Sequence, residues 1–387
     1  MQQSLIKAYK ELNKNKVQLL NVGVDSQLEI VPKVNNFYYH MEYFILTFIV
    51  SVLLLIQRFN ANKVYTYALL ILLISFAGLR ENVGVDYSSY IEIFAKIANE
   101  STLLIEPGVL LLSKLVFILG GNEQAVLLSF SIFTVIFFYR YISFFSKDIF
   151  VSMFFFSSFG VFFLASLSLV KQYMAISIFV YALIFLWQRS FVKYASLVII
   201  GGMFHYSALL LIPLYFICHR IYKIWQYILI LILALSGIEL LDVLVGFSKY
   251  SIYLEDSHQE VMLSDRNSVF TAIYLIASII VICTKDAVKK FKGSEIFINM
   301  SFISLVIILG SFLSDLPNMF FFRFNNYFIT SNLILVTYYI YLFTKTSRII
   351  ITIVFCCLVL AYMLYTVGYN GERYSLTPYS ATLDLID

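Results

Sequence analysis

The sequence is short of charge. Asp, Glu, Lys and Arg make up only 13% of the 387 residues, while hydrophobic residues make up 61%. Soluble domains carry about 25% charged residues, so this composition excludes a soluble globular protein. The apolar residues fall in blocks of roughly fifteen to twenty-five, near the ~20 that a helix needs to cross a bilayer, and the short alternating segments of a membrane β-barrel are missing. The sequence therefore predicts an all-α, polytopic membrane protein.

Cysteine is also scarce. The four cysteines, Cys218, Cys283, Cys356 and Cys357, lie within apolar blocks or at their ends. Their spacing fits neither a disulfide framework nor a metal site, and a role as small buried hydrophobic residues explains them. The net charge of +4 is too small to indicate a nucleic-acid partner.

The first forty residues lack the apolar core and small-residue cleavage site of a signal peptide. They carry five lysines and Pro32, and the first apolar block starts only at Met41. We expect translation to begin at Met41 and residues 1–40 to have no function. Residues 41–367 then form a single transmembrane domain, and residues 368–387 form a tail.

Twelve apolar blocks follow one another along the chain. They lie near 43–57, 64–79, 103–119, 124–145, 149–170, 172–187, 192–217, 226–246, 269–283, 296–314, 324–343 and 349–367. Short loops rich in Lys and Arg face the cytoplasm in membrane proteins. Such loops contain Arg58/Lys63, Arg140/Lys147, Arg189/Lys193, Arg220/Lys223, Lys285–Lys292 and Lys345/Arg348, whereas the acidic loop 247–268 is the best candidate for the outer side.

One crossing per block would place some basic loops outside, and two adjustments remove this conflict. Block 103–119 starts at Pro107 and ends before Gly120-Gly121, so its helix of about 18 Å is too short to cross. Block 192–217 is expected to turn back near Gly201-Gly202 and His205. The prediction is then about 12 transmembrane helices, with re-entrant or broken segments near 103–119 and 192–217 and both chain ends outside.

This topology gathers polar side chains on the predicted outer face. Arg80 follows an apolar block, and Asp86 precedes an amphipathic helix in which Tyr87, Tyr90 and Phe94 share one side. Asp86 is expected either to cap that helix or to form an ion pair with Arg80. Arg80 and Arg323 have the alternative role of head-group anchors, and Glu106 that of a favourable charge at a helix start.

Two further sites are costly in lipid unless polar groups surround them. Lys171 and Gln172 interrupt an apolar run, so a cavity or a partner is expected there. His205 lies at the predicted hairpin tip, where non-helical backbone must line a cavity. Cations on an outer surface suit an anionic lipid-linked phosphate, and the 29 tyrosines include platforms for sugar rings.

Several of these residues stand in motifs that resemble one family. Arg80, VGVDYSSY from Val83, EPG from Glu106, VKQYMAISIF from Val170, FHYSALLLIP from Phe204, and Arg323 resemble, in order, the EpsG family of Wzy-type polysaccharide polymerases. The resemblance runs from about Met41 to Pro378-Tyr379. Lys171 departs from the arginine common at its place, and Val85 from the usual threonine.

The resemblance implies a glycosyltransferase that extends O-antigen, capsule or exopolysaccharide on the outer face of the bacterial cytoplasmic (inner) membrane. Its substrates would be a growing glycan on undecaprenyl pyrophosphate and a lipid-linked acceptor repeat unit, and a chain-length regulator and a flippase are further candidate partners. The predicted catalytic residues are Arg80, Asp86, Glu106, His205 and Arg323. The predicted substrate-binding residues are Lys171, Gln172, Tyr87, Tyr206, Arg266, Arg373 and Tyr379.

For this chemistry the candidate general bases are His205, Asp86 and Glu106, in that order, because histidine needs the smallest change in pKa. The predicted outer face has no Asp-x-Asp motif and no His/Asp cluster, so we expect a reaction that needs no metal or cofactor and survives EDTA. Three alternatives stay open. They are a metal-dependent lipid-phosphate glycosyltransferase that uses Glu81 and Asp86, a flippase, for which internal repeats are missing, and an O-antigen ligase, which generally has a larger outer loop.

Overall fold

The computed structural model describes residues 41–60, 62–99, 105–237, 269–314, 318–369, 371 and 375–385. The first eight helices are α1 Met41–Phe59, α2 Lys63–Gly78, α3 Tyr87–Ala98, α4 Pro107–Ile118, α5 Glu123–Phe145, α6 Ile149–Ser158, α7 Phe163–Ser168 and α8 Val170–Trp187. The remaining described α-helices are α9 Phe191–Phe204, α10 Leu214–Ile217, α11 Ile224–Ser236, α12 Val269–Cys283, α13 Lys285–Val288, α14 Ser294–Gly310, α15 Asn318–Ile329, α16 Asn332–Ile340 and α17 Lys345–Met363.

Short elements complete the description. A 3-10 helix spans Tyr206–Leu211, and a π-helix spans Leu364–Tyr369. Two short strands, β1 Arg80–Glu81 and β2 Ser380–Ala381, pair antiparallel, with Arg80 opposite Ala381. The described part of the chain is therefore helical apart from this small ribbon and its loops.

Local sequence fixes where several helices begin. The side chain of Asn62 accepts a hydrogen bond from the amide of Val64 at the start of α2, and Asn122 accepts one from the amide of Ala125 at the start of α5. Asp148 does the same for α6. Asn and Asp favour such positions because their oxygens satisfy amides that the first helical turn leaves unpaired.

The described helices fit a membrane protein. Four are long and apolar enough to cross a bilayer, namely Met41–Phe59, Glu123–Phe145, Val170–Trp187 and Lys345–Gly368. Eight shorter apolar helices accompany them in the same part of the chain. The all-α membrane class is confirmed, and the count of about 12 crossings stays a prediction.

Helix α8 lies at the centre of the bundle. Of its most apolar window 78% is buried, against 28% for α1 and 17% for α17. It packs against α5 and α9. The exposed face of α17 includes Ile349, Ile353 and Leu358, which suit contact with lipid. The fold thus surrounds one buried helix with peripheral helices.

The predicted hairpin in block 192–217 is confirmed. Helix α9 ends at Phe204, His205 has extended backbone, and a 3-10 helix starts at Tyr206. The second arm folds back on the first, since the Tyr194 hydroxyl donates to the Leu211 carbonyl over 2.7 Å. His205 therefore occupies the tip of the hairpin.

Block 103–119 also forms the helix that was predicted. Helix α4 starts at Pro107 and ends before Gly120, whose φ of +83° is a left-handed conformation that glycine adopts easily. Its twelve residues span about 18 Å. Whether this helix dips into the membrane or lies along it stays a prediction.

Two of the apolar blocks are each divided between two helices, which their sequences did not lead us to expect. Block 149–170 divides into α6 and α7, and block 324–343 divides into α15 and α16 at Thr330 and Ser331. Distant side chains bond the carbonyls near each break: Tyr173 donates to Val161, Tyr141 to Thr330 and Ser152 to Leu333. A break inside lipid survives because its freed backbone groups find such partners.

The basic loops gather at one end of the molecule, which we call the basic end (residues 58–60 with 62–63, and loops 145–148, 187–193, 219–223, 284–293 and 341–348). Arg58 pairs with Asp148 at 3.2 Å, and Tyr341 donates to the same carboxylate. Lys292 lies over the rings of Phe144 and Trp187. The loop at 219–223 joins through Asn299, which donates to the Arg220 carbonyl. Contacts therefore group the same loops that the charge pattern grouped.

Candidate functional site

Helix direction places most predicted site residues away from the basic end. Helices α2, α8 and α9 each have one end at the basic end. Their other ends lead to Arg80, Lys171 and His205, and the eighteen residues of α8 span about 27 Å. We call the surface around Arg80, Lys171 and His205, together with the loops and the C-terminal tail beside them, the candidate face.

Arg80 is almost wholly buried, with 1% of its surface exposed. Its guanidinium donates to three backbone carbonyls: Nε to Val83 at 3.1 Å, Nη2 to Leu167 at 2.7 Å, and Nη1 to Ala77. Burial lowers the pKa of Arg80 to about 10, so it remains a cation at neutral pH. The arginine thus joins the end of α2, the following loop and the end of α7.

Gly84 brings this loop close to α7. Its φ is +97°, and a Cβ atom there would lie 2.4 Å from the Leu167 carbonyl oxygen. The neighbouring amide of Val85 donates to Ser168 Oγ. A side chain at position 84 is therefore excluded both by conformation and by space.

The C-terminal tail covers the same loop. Ser375 accepts from the amide of Gly84 over 2.7 Å, and the amide of Thr382 donates to Leu79 over 2.7 Å. Tyr379 stacks on Phe76 with 4.2 Å between ring centroids and donates to its carbonyl. The tail and the strand pair β1–β2 therefore clamp the segment that carries Arg80.

Of the two roles expected for Asp86, the ion pair with Arg80 does not form. Among the described residues, the guanidinium forms no ion pair, because backbone carbonyls already accept its hydrogen bonds. Asp86 does stand directly before α3, as predicted for a cap, yet its side chain makes no capping hydrogen bond. The carboxylate is thus not used to hold the arginine.

Lys171 and Glu106 form an ion pair across the candidate face. Lys171 Nζ lies 3.0 Å from Glu106 Oε2, and the two side chains are 22% and 17% exposed. Lys171 is in the first turn of α8, and Glu106 directly precedes α4. The partner expected for the lysine is therefore a second predicted site residue.

Tyr90 lies among these charges. Burial raises the pKa of Tyr90, the negative charges of Asp86 and Glu106 add to the rise, and the positive charge of Arg323 opposes it. The backbone of Lys171, which lies close to the phenol, also opposes the rise in this pKa. Four of the predicted site residues thus lie close enough to this buried hydroxyl group to influence its pKa.

Gln172 connects α8 to α15. Its amide nitrogen donates to the Arg323 carbonyl, and its side chain is 3% exposed. The half-buried side chain of Arg323 lies one turn before Tyr327, on the same side of α15. This bond brings the second predicted arginine to the Lys171 side of the face.

His205 is half-buried and holds a short chain of hydroxyl groups. Ser207 Oγ lies 2.8 Å from His205 Nδ1 and 3.0 Å from the hydroxyl of Tyr327. Tyr206 is 43% exposed and lies directly beside the histidine. The hairpin tip is therefore attached to α15, the helix that carries Arg323.

A close backbone approach joins the hairpin to the ion pair. A Cβ atom on Gly108 would lie 2.9 Å from the carbonyl oxygen of Met203, so α4 meets the end of α9 without a side chain between them. Gly108 is two residues after Glu106, and Met203 is two residues before His205. The structure thus brings Glu106, Lys171, Arg323 and His205 to neighbouring parts of one surface.

Other predicted residues have different surroundings. Tyr87 is 8% exposed and donates to Gln124, which itself donates to the carbonyls of Gly78 and Arg80. Tyr379 holds the tail to α2, as described above. Arg266 and Arg373 lie outside the described residues.

Sequence reasoning missed Ser207, Tyr327 and Gln124 as parts of this surface. Ser207 follows the histidine by two residues in FHYSALLLIP, which is a local signal. Tyr327 and Gln124 gave none, because their partners are 120 and 37 residues away in the chain. No group of three or more His, Cys, Asp or Glu side chains in the described part of the chain is arranged to hold a metal ion.

Comparison with known proteins shows which family the chain belongs to. No curated protein and no solved structure matches the chain. The family model described as EpsG family matches residues 63–381, a range that includes all the predicted site residues. Because this match covers most of the chain, the chain belongs to the EpsG family.

Proposed function

We propose that the chain is a polysaccharide polymerase that transfers a growing glycan from undecaprenyl pyrophosphate to a sugar hydroxyl of an incoming lipid-linked repeat unit. Membership of a family associated with polysaccharide-polymerase-like membrane proteins supports this class of activity. The observation that carries the proposal is the cluster of Glu106, Lys171, Arg323 and His205 at the end of the bundle opposite the basic loops.

The positive-inside rule assigns the candidate face to the outer side of the cytoplasmic membrane. Loops rich in Lys and Arg remain in the cytoplasm. The basic end then faces inward, and the opposite end of α8, about 27 Å away, faces outward. Flipped lipid-linked repeat units are present on that outer side.

The reaction needs a cationic site for its leaving group. A bond forms between the acceptor oxygen and the anomeric carbon of the donor, while the bond from that carbon to the pyrophosphate oxygen breaks. The lipid pyrophosphate keeps the electron pair, so its negative charge grows in the transition state. Lys171 and Arg323 are the cations that stabilise it, and Glu106 orients Lys171 through their 3.0 Å contact.

The acceptor hydroxyl also loses a proton. His205 takes it as general base, because an imidazole changes protonation near neutral pH, and later releases it to water. Arg80 has a positioning role in this scheme, which its three bonds to backbone carbonyls support.

Glycan length in cells tests the proposal. In a host strain deleted for the gene, His205→Ala, Lys171→Ala and Arg323→Ala are expressed at equal membrane levels, with the exposed Lys114→Ala as control. We expect single-repeat glycans from the three site variants and long chains from the control. Long chains in all three site variants would refute the site, and repeat units stranded on the cytoplasmic side would indicate a flippase.

A further inference from the structure

Two hydroxyl groups lie beside His205 at the hairpin tip, and the proposed reaction assigns them no role. Ser207 Oγ lies 2.8 Å from His205 Nδ1, and the Tyr327 hydroxyl lies 3.0 Å from the same oxygen. Ser207 belongs to the 3-10 helix of the hairpin, whereas Tyr327 belongs to α15. A chain of two hydroxyl groups therefore ties the imidazole to a different element of the fold.

The direction of the Ser207–His205 hydrogen bond determines which imidazole nitrogen is basic. A neutral imidazole carries a proton on one ring nitrogen and accepts on the other. The partner of one nitrogen thus sets the role of the second. A serine oxygen has two lone pairs, so Ser207 can accept from Nδ1–H and still bond to Tyr327. In that arrangement Nε2 is the proton acceptor.

Tyr327 is a rigid partner. It is 0% exposed, and its ring packs against Phe179 and Phe324 with centroid distances of 5.8 and 6.2 Å. A buried phenol held by neighbouring rings has little freedom to turn. It therefore restricts the rotation of the Ser207 hydroxyl, which in turn restricts the imidazole.

We propose that Ser207 and Tyr327 are positioning residues for His205. Ser207 accepts the hydrogen bond from Nδ1–H, and Tyr327 fixes Ser207, so that Nε2 faces the reaction as the base. When Nε2 takes the acceptor proton, Ser207 also stabilises the imidazolium through the same bond. This inference rests on the proposed polymerase function and adds two residues to its machinery.

The test uses the full chain in proteoliposomes. The substrate is the pool of lipid-linked repeat units extracted from cells that lack the protein, and the readout is the initial rate of chain extension at varied substrate concentration. For Ser207→Ala we expect kcat to fall about tenfold while KM stays within about twofold of wild type. Ser207→Thr keeps a hydroxyl and should recover most of kcat, and Tyr327→Phe should lower kcat about threefold.

Tyr194→Phe is the matched control. It also removes a buried tyrosine hydroxyl from the hairpin, but that hydroxyl bonds the Leu211 carbonyl and not the histidine chain. We expect wild-type kcat from it at equal membrane level. Melting temperatures of all variants in detergent show which of them fold.

The outcomes separate this inference from the proposed function. Wild-type liposomes that extend no chains would refute the polymerase assignment, and the inference with it. If wild type extends chains but Ser207→Ala keeps its kcat, only the inference fails. Equal loss of kcat in folded Ser207→Thr and Ser207→Ala would also refute it.

Discussion

Arg80 is a buried cation whose partners are peptide carbonyls and not a carboxylate. Its three bonds reach Ala77, Val83 and Leu167, the last of which is 87 residues away in the chain. The sequence around Arg80 shows charge next to a glycine and suggested an ion pair. The carbonyl of a distant helix end has no sequence signature, which is why its role could not be predicted.

Replacing Arg80 tests this bonding. Arg80→Lys keeps the charge, but one ammonium cannot occupy the positions of three guanidinium nitrogens. We expect the variant to lose about 2 to 4 kcal/mol of unfolding free energy, since buried carbonyls lose charged donors. Thermal unfolding in detergent measures the loss, with exposed Lys114→Ala as control. An unchanged melting temperature in Arg80→Lys would contradict the structural role.

The Lys171–Glu106 pair gives a second prediction at this scale. Both side chains are less than a quarter exposed, so Glu106→Gln leaves a partly buried lysine without its counter-charge. We expect a loss of about 1 to 2 kcal/mol, between the values for exposed and buried pairs. The charge reversal Glu106→Lys with Lys171→Glu should recover most of the stability but not the activity.

A matched control is present in the neighbouring helix. Glu92 and Lys96 also form an ion pair, at i and i+4 of α3, and both are exposed to solvent. Glu92→Gln should therefore leave the melting temperature unchanged. Additive effects of Glu106→Gln and Lys171→Met in a double-mutant cycle would show that the pair contributes nothing.

At the scale of elements, the chain uses broken helices. The break at His205 was predictable because two glycines and a polar residue coincide in an apolar block. The break at 159–162 contains one glycine, Gly160, which the sequence interpretation passed over, whereas the break at 330–331 has only Thr330 and Ser331 and no glycine or proline. Their stabilising donors, Tyr173, Tyr141 and Ser152, come from other helices.

Those donors can be removed one at a time. Tyr141→Phe deletes the hydroxyl that bonds the Thr330 carbonyl over 3.1 Å, and Ser152→Ala deletes the one that bonds Leu333 over 2.6 Å. Each should lower stability by about 1 kcal/mol, a typical value for a hydrogen bond between membrane helices. Chemical unfolding followed by tryptophan fluorescence provides the measurement.

Tyr181→Phe controls for the loss of a tyrosine hydroxyl. Tyr181 packs against Phe137 and Phe185 through its ring. The substitution Tyr181→Phe removes one hydroxyl oxygen and should leave the free energy of unfolding unchanged. If Tyr141→Phe behaved in the same way, water or another group would be bonding the carbonyl at the break.

For the molecule as a whole, the charge pattern of the sequence and the contacts in the structure place the same loops at one end of the bundle. Six basic loops that are far apart in sequence meet at one end, and the alternation of helix directions predicted this. Which helix occupies the centre of the bundle could not be predicted from the sequence. Helix α8 is as apolar as its neighbours, and only its packing shows that it is central. Periodicity alone could not identify the buried helix.

Chemical labelling tests that polarity in cells. In a cysteine-free background, Val85→Cys lies on the candidate face, where Val85 is 55% exposed, and Lys289→Cys lies on the exposed surface of the basic end. We expect a membrane-impermeant maleimide to label position 85 in intact cells and position 289 only after lysis. The reverse pattern would invert the membrane orientation and overturn the outward site.

The clamp between the tail and the Arg80 loop has a consequence for biogenesis. Glu81 and its partner Ser380 are separated by 299 residues, so the Arg80 loop reaches the membrane long before its cover exists. At about 5 to 20 residues per second, ribosomes need roughly 15 to 60 s to make the intervening chain. During that interval the Arg80 loop of the nascent protein is uncovered, until residues 375–382 are made and close over it.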